Sequence, residues 1–227
     1  MWRTWNGGRL WATVYGSRDI SVKSGRSSSL VVLAGGRGVR LGGVPKGLIR
    51  LENGETTIER MLALSRGGPS FVSTNHPEWY ERLDVPLIAD VVPDKGAPGG
   101  VVTGLAVAPT EWVTIVACDM PFVTREMIAE LHAHAHPGAD VVCFERDGHL
   151  EPLVGLYRRE LCFDWELRLD GNPSLRELVS SVRLDTLEAE EPARLLSLNS
   201  PLDVRDAEES FRELSVADTL PFQAPPW

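Results

Sequence analysis

The sequence predicts a three-layer, Rossmann-like α/β fold with a mostly parallel central sheet. Two observations carry this. Strand-like and helix-like segments alternate from residue 29 to about 214, and the first apolar strand runs directly into a glycine-rich, cationic turn. Such alternation builds βαβ units, because a parallel strand pair needs a crossover long enough to hold a helix. With 227 residues, 43% of them hydrophobic, the chain is long enough for one sizeable core and short for two domains.

Ser29 to Leu33 opens the sheet as a buried, apolar strand. A helix is predicted over 57–65, where Thr56 and Glu59 form a capping box and Ile58, Met61 and Leu62 recur at i, i+3 and i+4. Strands are expected at 69–74, 86–89 and 112–117, a helix at 125–135, and further strands at 139–144 and 151–157. Ser174 and Glu177 repeat the capping box before Leu175, Leu178 and Val179. A last strand at 194–198 leads to a helix begun by Ser200-Pro201, with Val204, Ala207, Phe211 and Leu214 near one face. The expected domain is 29–214, with 215–227 a proline-rich, loosely ordered tail. Residues 1–28, with Trp2, Trp5 and Trp11 among Gly, Arg and Ser, read as an extension outside it. Three explanations stand: a disordered tail or over-extended start, a partner-binding arm, and an Arg/Ser-rich organelle-targeting segment.

Formal net charge is −9, yet Arg3, Arg9, Arg18, Lys23 and Arg26 against Asp19 give residues 1–29 a charge of +4, leaving −13 for the rest. An acidic body disfavours nucleic acid as a partner. Cys118, Cys143 and Cys162 are an odd number without a C-x-x-C pair, which indicates reduced, buried thiols in a cytoplasmic protein. No apolar run reaches membrane-spanning length.

Against this background the segment Leu33-Ala34-Gly35-Gly36-Arg37-Gly38-Val39-Arg40-Leu41-Gly42-Gly43-Val44-Pro45-Lys46 stands out. Its glycines let backbone N–H groups approach an anion, and Arg37, Arg40 and Lys46 supply charge, so it reads as a nucleoside triphosphate loop. A P-loop is excluded, because Gly47 follows Lys46 where a magnesium-binding hydroxyl belongs. A dinucleotide fingerprint also fails, since Leu41 stands where the third glycine is needed. At the end of the strand-like run Trp112 to Ala117 comes Cys118-Asp119-Met120-Pro121, which puts Asp119 where ligands of open α/β sheets gather. A carboxylate there can hold Mg²⁺, or it can simply start the turn before Pro121.

The glycine loop resembles the signature of the nucleotidyltransferases, and specifically the molybdenum cofactor guanylyltransferases. Ser73-Thr74-Asn75-His76, Leu87-Ile88-Ala89-Asp90, Ala117 to Phe122, Glu151 to Tyr157, Pro173 to Leu178 and Leu198-Asn199-Ser200-Pro201 resemble further motifs of that family, so the similarity runs from Leu30 to about Glu209. The resemblance implies a nucleotidyltransferase-type fold, transfer of GMP from GTP to the phosphate of molybdopterin-bound molybdenum, release of pyrophosphate, and Mg²⁺ as cofactor. A cofactor-delivery protein or recipient molybdoenzyme is a further implied partner. Leu33, Ala34, Gly35, Gly36, Lys46, Asn75, Asp90 and Asp119 would hold the nucleotide. Arg40, Lys46 and Asp119 would be catalytic, Asp119 would carry the metal, and Asn199 would contact the acceptor. Leu41 for methionine, Pro98-Gly99-Gly100-Val101 for G-P-L-x-G, and Ser197 for asparagine depart from the family pattern.

Gly35, where cytidylyltransferases usually carry alanine, leaves room for a purine, and Asp90 could accept from guanine N1 and N2. Its bland role is a turn or a helix cap. The carboxylates of Asp90 and Asp119 are expected to repel each other in the empty cleft. Cytidylyl or sugar-nucleotide transfer, and non-catalytic cofactor binding, are the rival readings. His132, His134 and His136 are expected to decorate a helix C-terminus rather than bind metal, and nothing orients Cys118 and His149 as a nucleophile pair.

Overall fold

The computed structural model describes residues 28–35, 44–51, 53–199 and 203. Among them seven strands form one sheet: β1 (Ser29–Leu33), β2 (Ser70–Ser73), β3 (Leu87–Ile88), β4 (Trp112–Ala117), β5 (Val141–Arg146), β6 (His149–Arg158) and β7 (Leu184–Glu188). Their spatial order is β3-β2-β1-β4-β6-β5-β7. Every pairing is parallel except those of β6, which runs against both β4 and β5. The chain steps outward from β1 to β3 and then returns to the other side of β1 for β4. That reversal leaves a crevice between the carboxyl ends of β1 and β4.

Helices α1 (Thr57–Leu62), α2 (Gly96–Val107), α3 (Arg125–Ala133), α4 (Leu161–Arg168) and α5 (Leu175–Val179) cover the two faces. Alternation along β1 divides its side chains: Leu30 and Val32 pack with Ile58 and Met61 of α1 and Ile128 and Leu131 of α3, while Val31 packs with Val101 and Leu105 of α2, Trp165 of α4 and Leu178 of α5. Both capping boxes are present, with Thr56 and Ser174 exchanging hydrogen bonds with Glu59 and Glu177. Among the described residues no helix is long and apolar enough to cross a membrane.

Three expectations need correction. Residues 194–198 are not a strand; Pro192–Leu195 is a 3-10 helix led by proline, and the chain beyond it is irregular. The seventh strand is instead Leu184–Glu188, whose buried residue is Leu187 and whose Thr186 and Glu188 are exposed, so no apolar alternation marks it. Helices α2 and α4 were not expected. In α2, apolar residues and glycines surround the axis, leaving no stripe to detect. The residues 1–27, the loop 36–43 with Gly36, Arg37 and Arg40, the helix expected from Ser200 apart from Asp203, and the tail 215–227 lie outside the described residues.

Gly104 lets α2 lie against β1. A Cβ there would stand 2.7 Å from Val31 Cγ1, and Val31 is fully buried and stiff at χ1. Gly104→Ala is therefore expected to cost about 1–3 kcal/mol by overpacking. A melting temperature within a degree of wild type would contradict that close fit.

The three histidines separate. His134 donates from Nδ1 to the Glu130 carbonyl at 3.0 Å, as expected at a helix end, and His136 pairs with Asp185 at 2.7 Å. His132 instead turns inward, its Nε2 lying 3.0 Å from Ser28 Oγ and 3.2 Å from Thr114 Oγ1. Burial, with help from the Arg66 charge, lowers its pKa to about 4. Between pH about 6.5 and 4 the unfolded chain takes up a proton at this position and the native one does not, so stability falls as pH drops through that window and is unaffected above it. Melting curves across that range should show a shallower acid slope for His132→Gln than for wild type.

Candidate nucleotide site

A cavity of about 790 Å³ opens at the carboxyl edge of the sheet, over the crevice between β1 and β4. Leu33, Gly35, Lys46, Asn75, Asp90 and Asp119 all line it, together with Leu153 of β6 and the first turn of α2. Its size suits a nucleotide-sized ligand.

Parallel pairing brings these residues together. Leu33 is in register with Ser73 and Ala117, and Ser73 with Ile88, so β1 to β4 end side by side and the residues just beyond them share one rim. The ladder extends past the strands: Ala34 N donates to Ser73 O at 2.8 Å and Cys118 N to Leu33 O at 3.0 Å. Around the place a Cβ of Gly35 would take there is open space for 4 Å.

At the β2–β3 side, Ser73 Oγ donates to Asp90 Oδ1 at 3.0 Å and Asn75 Nδ2 to Asp90 Oδ2 at 2.9 Å, while the Asp90 N–H donates to Asn75 Oδ1 at 3.0 Å. The carboxylate is thus aimed by two side chains and keeps lone pairs for a ligand. Sequence reading missed Ser73 in this role. Its signal was its strand position, three residues before the end of the Ser73-Thr74-Asn75-His76 segment and level with Ile88.

Lys46 starts a 3-10 turn, Lys46–Leu48, whose carbonyl at Lys46 accepts from Thr57 Oγ1 at 2.7 Å. A Cβ at Gly47 would lie 2.8 Å from the hydroxyl of buried Tyr80, so a side chain there would have to displace that ring. Lys46 Nζ reaches Asp119 Oδ2 at 2.7 Å and Asn199 Oδ1 at 2.6 Å; the first two side chains are 19% and 15% exposed. Asp119 also accepts at its backbone carbonyl from Leu198 N at 2.8 Å, which ties the irregular segment after residue 195 to the end of β4. Each of the two carboxylates has its own partners, Asp119 a cation and Asp90 two neutral donors, so the negative charge at Asp119 is balanced locally by Lys46.

Glu151, at the start of β6, is a half-buried carboxyl whose pKa is raised by burial, with Arg176 and Arg146 opposing and the Asp119 charge adding. Burial drives the Cys118 thiol well above its ordinary range, and Asp119 pushes it further, so it is no nucleophile; His149 lies at a hairpin tip bonded to Asp147 O. All three cysteines are free and buried. Among the described residues no three His, Cys, Asp or Glu side chains converge as a metal cluster.

A doubly wound sheet whose cavity sits at its strand reversal, with a lysine facing a strand-end aspartate, places the protein among the α/β proteins that bind a ligand at a topological switch point. The profile of the MobA-like NTP transferase domain matches residues 30–187. A molybdenum cofactor guanylyltransferase of Pseudomonas putida is 33% identical over 184 residues, covering 78% of this chain and 96% of that one. One from Vibrio cholerae is 32% identical over 137 residues, 59% of this chain and 67% of the relative. The solved structure of molybdopterin-guanine dinucleotide biosynthesis protein A from Archaeoglobus fulgidus superimposes with a TM-score of 0.70 at 22% identity, over 82% of this chain and 99% of that one. The chain belongs to the MobA-like NTP transferase family.

Proposed function

We propose that this protein transfers GMP from GTP to the phosphate of molybdenum-bound molybdopterin, forming the guanine dinucleotide cofactor and releasing pyrophosphate. The observation that carries the reading is the 33% identity to a guanylyltransferase over 96% of its length. The transferase unit proposed is 29–214, working in the cytoplasm.

The acceptor phosphate is already anionic and needs no strong base, so the protein's work is alignment and charge neutralisation. Backbone groups of Leu33, Ala34, Gly35 and Gly36 cradle the nucleotide, Asn75 and Asp90 read guanine, and Lys46 and Arg40 neutralise the phosphates; Gly36 and Arg40 enter on the sequence resemblance. The donor set fits Mg²⁺, which takes one or two protein carboxylates and completes its shell with phosphate oxygens and water. Asp119 offers such a carboxylate beside the cavity. Bound there, the ion would neutralise charge on the triphosphate. Lys46 bonds only one of the two carboxylate oxygens, Oδ2, so it can keep that contact while its remaining charge acts on the phosphates.

Calorimetric titration with GTP, CTP, ATP and UTP, each with Mg²⁺, tests the reading. GTP is expected to bind tightest. Tighter binding of CTP would replace guanylyl by cytidylyl transfer.

A further inference from the structure

We propose that Asn199 is a positioning residue for Lys46, holding its ammonium so that one N–H is left facing the triphosphate. The inference rests on Lys46 serving as a phosphate ligand, and it moves Asn199 from the acceptor side of the reaction to the nucleotide side.

A lysine ammonium has three donors in a tetrahedral array and no acceptor. One N–H goes to Asp119 Oδ2 at 2.7 Å and a second to Asn199 Oδ1 at 2.6 Å. With two directions fixed the third is fixed as well, on a side chain that lines the cavity. Because the lysine can only donate, the asparagine must present its oxygen there, and its Nδ2 is turned back to Ser197 O at 3.3 Å. Asn199 is itself anchored, since its N–H donates to Asp203 Oδ2 at 2.7 Å and the preceding Leu198 N–H holds the Asp119 carbonyl.

A neutral acceptor suits this task. A second carboxylate would fix the lysine equally well but would also cancel its charge, whereas an amide oxygen orients the cation and leaves its field available to a phosphate. Lysine otherwise carries a mobile point charge on a four-carbon stem, and restraining it before the ligand arrives removes ordering cost from binding.

The test is a double-mutant cycle on the full chain without acceptor: binding of GTP and CTP with Mg²⁺ to wild type, Lys46→Ala, Asn199→Ala and the double variant. Asn199→Ala should weaken nucleotide binding about tenfold, and should cost little more once Lys46 is gone. In turnover with molybdenum-loaded molybdopterin, kcat should fall while the acceptor KM stays within about twofold of wild type. Unchanged nucleotide affinity with a raised acceptor KM would make Asn199 an acceptor ligand and overturn the proposal, as would losses that add in the double variant. Asn199→Ser, too short to reach the ammonium, should give the same split if the alanine variant folds poorly. A preference for CTP would sink the guanylyl reading alone, because the cycle can be run with whichever nucleotide wild type prefers.

Discussion

Asp119→Asn is expected to lose about 100-fold or more in pyrophosphate release from GTP, the scale of removing one preorganised electrostatic contact. The exchange keeps size and one oxygen but removes the charge that would hold Mg²⁺ against the triphosphate. The fold should survive, since the Asp119 backbone keeps its bond from Leu198 and β4 is buried between β1 and β6. Stability should nevertheless drop. Lys46 is 19% exposed and would lose the ion-pair partner it has at 2.7 Å, a loss of about 1–3 kcal/mol, between the value of a surface pair and that of a buried one. For a domain of this size that lowers the melting temperature by about 2–4 °C per kcal/mol. Melting curves and pyrophosphate assays on the same preparations check both halves. A variant with wild-type turnover would leave Asp119 as a turn residue ahead of Pro121.

The second large effect is expected at Asp90. Guanine offers two adjacent donors, N1–H and N2–H, and only a group with free lone pairs on both oxygens can accept from both. Asp90→Asn can keep its oxygen toward Asn75 Nδ2, now 2.9 Å from Asp90 Oδ2, and turn its amide toward the Ser73 hydroxyl, which can accept; the site then presents guanine with a donor in place of one of its two acceptors. GTP affinity should fall about 100-fold, as it does when a site built to pair with polar groups loses its match. Inosine triphosphate, which lacks the N2 amino group, provides the control. Wild type should bind it more weakly than GTP, and the variant should lose most of that difference. A variant that still prefers GTP over ITP by the wild-type margin would assign the base to other residues.

What could be read from the chain beforehand follows from how local each signal is. Asp119 was legible because a six-residue apolar strand announces its own end, and parallel pairing sends that end to the same edge as the glycine loop. Thr56 with Glu59, and Ser174 with Glu177, were legible because a capping box is written within four residues. β7 was not, because among the described residues it pairs with β5 alone and shows the sheet a single buried residue, Leu187. α2 carries Gly96, Gly99, Gly100 and Gly104, which lower intrinsic helix propensity, and forms because close packing on β1 outweighs that loss. His132 looked like its neighbours in sequence, and only the fold brings Ser28 and Thr114, distant in the chain, to its ring. The contact between Lys46 and Asn199 spans 153 positions and has no local signature at all.

The reversed strand β6 has a consequence for how such a site can diversify. Its partner β5 climbs toward the cavity edge, turns at Asp147-Gly148, both with positive φ, and comes back down as β6. One flank of the cavity is thus lined by Leu153 on the returning strand of a hairpin whose tip lies beyond it, while the opposite flank carries Asn75, Asp90 and the first turn of α2 from the crossovers after β2 and β3. Residues inserted at that tip would project over the rim and leave the strand ladder untouched. The two flanks are thus built differently, and the hairpin tip is where chain can be added with least cost to the residues that line the cavity.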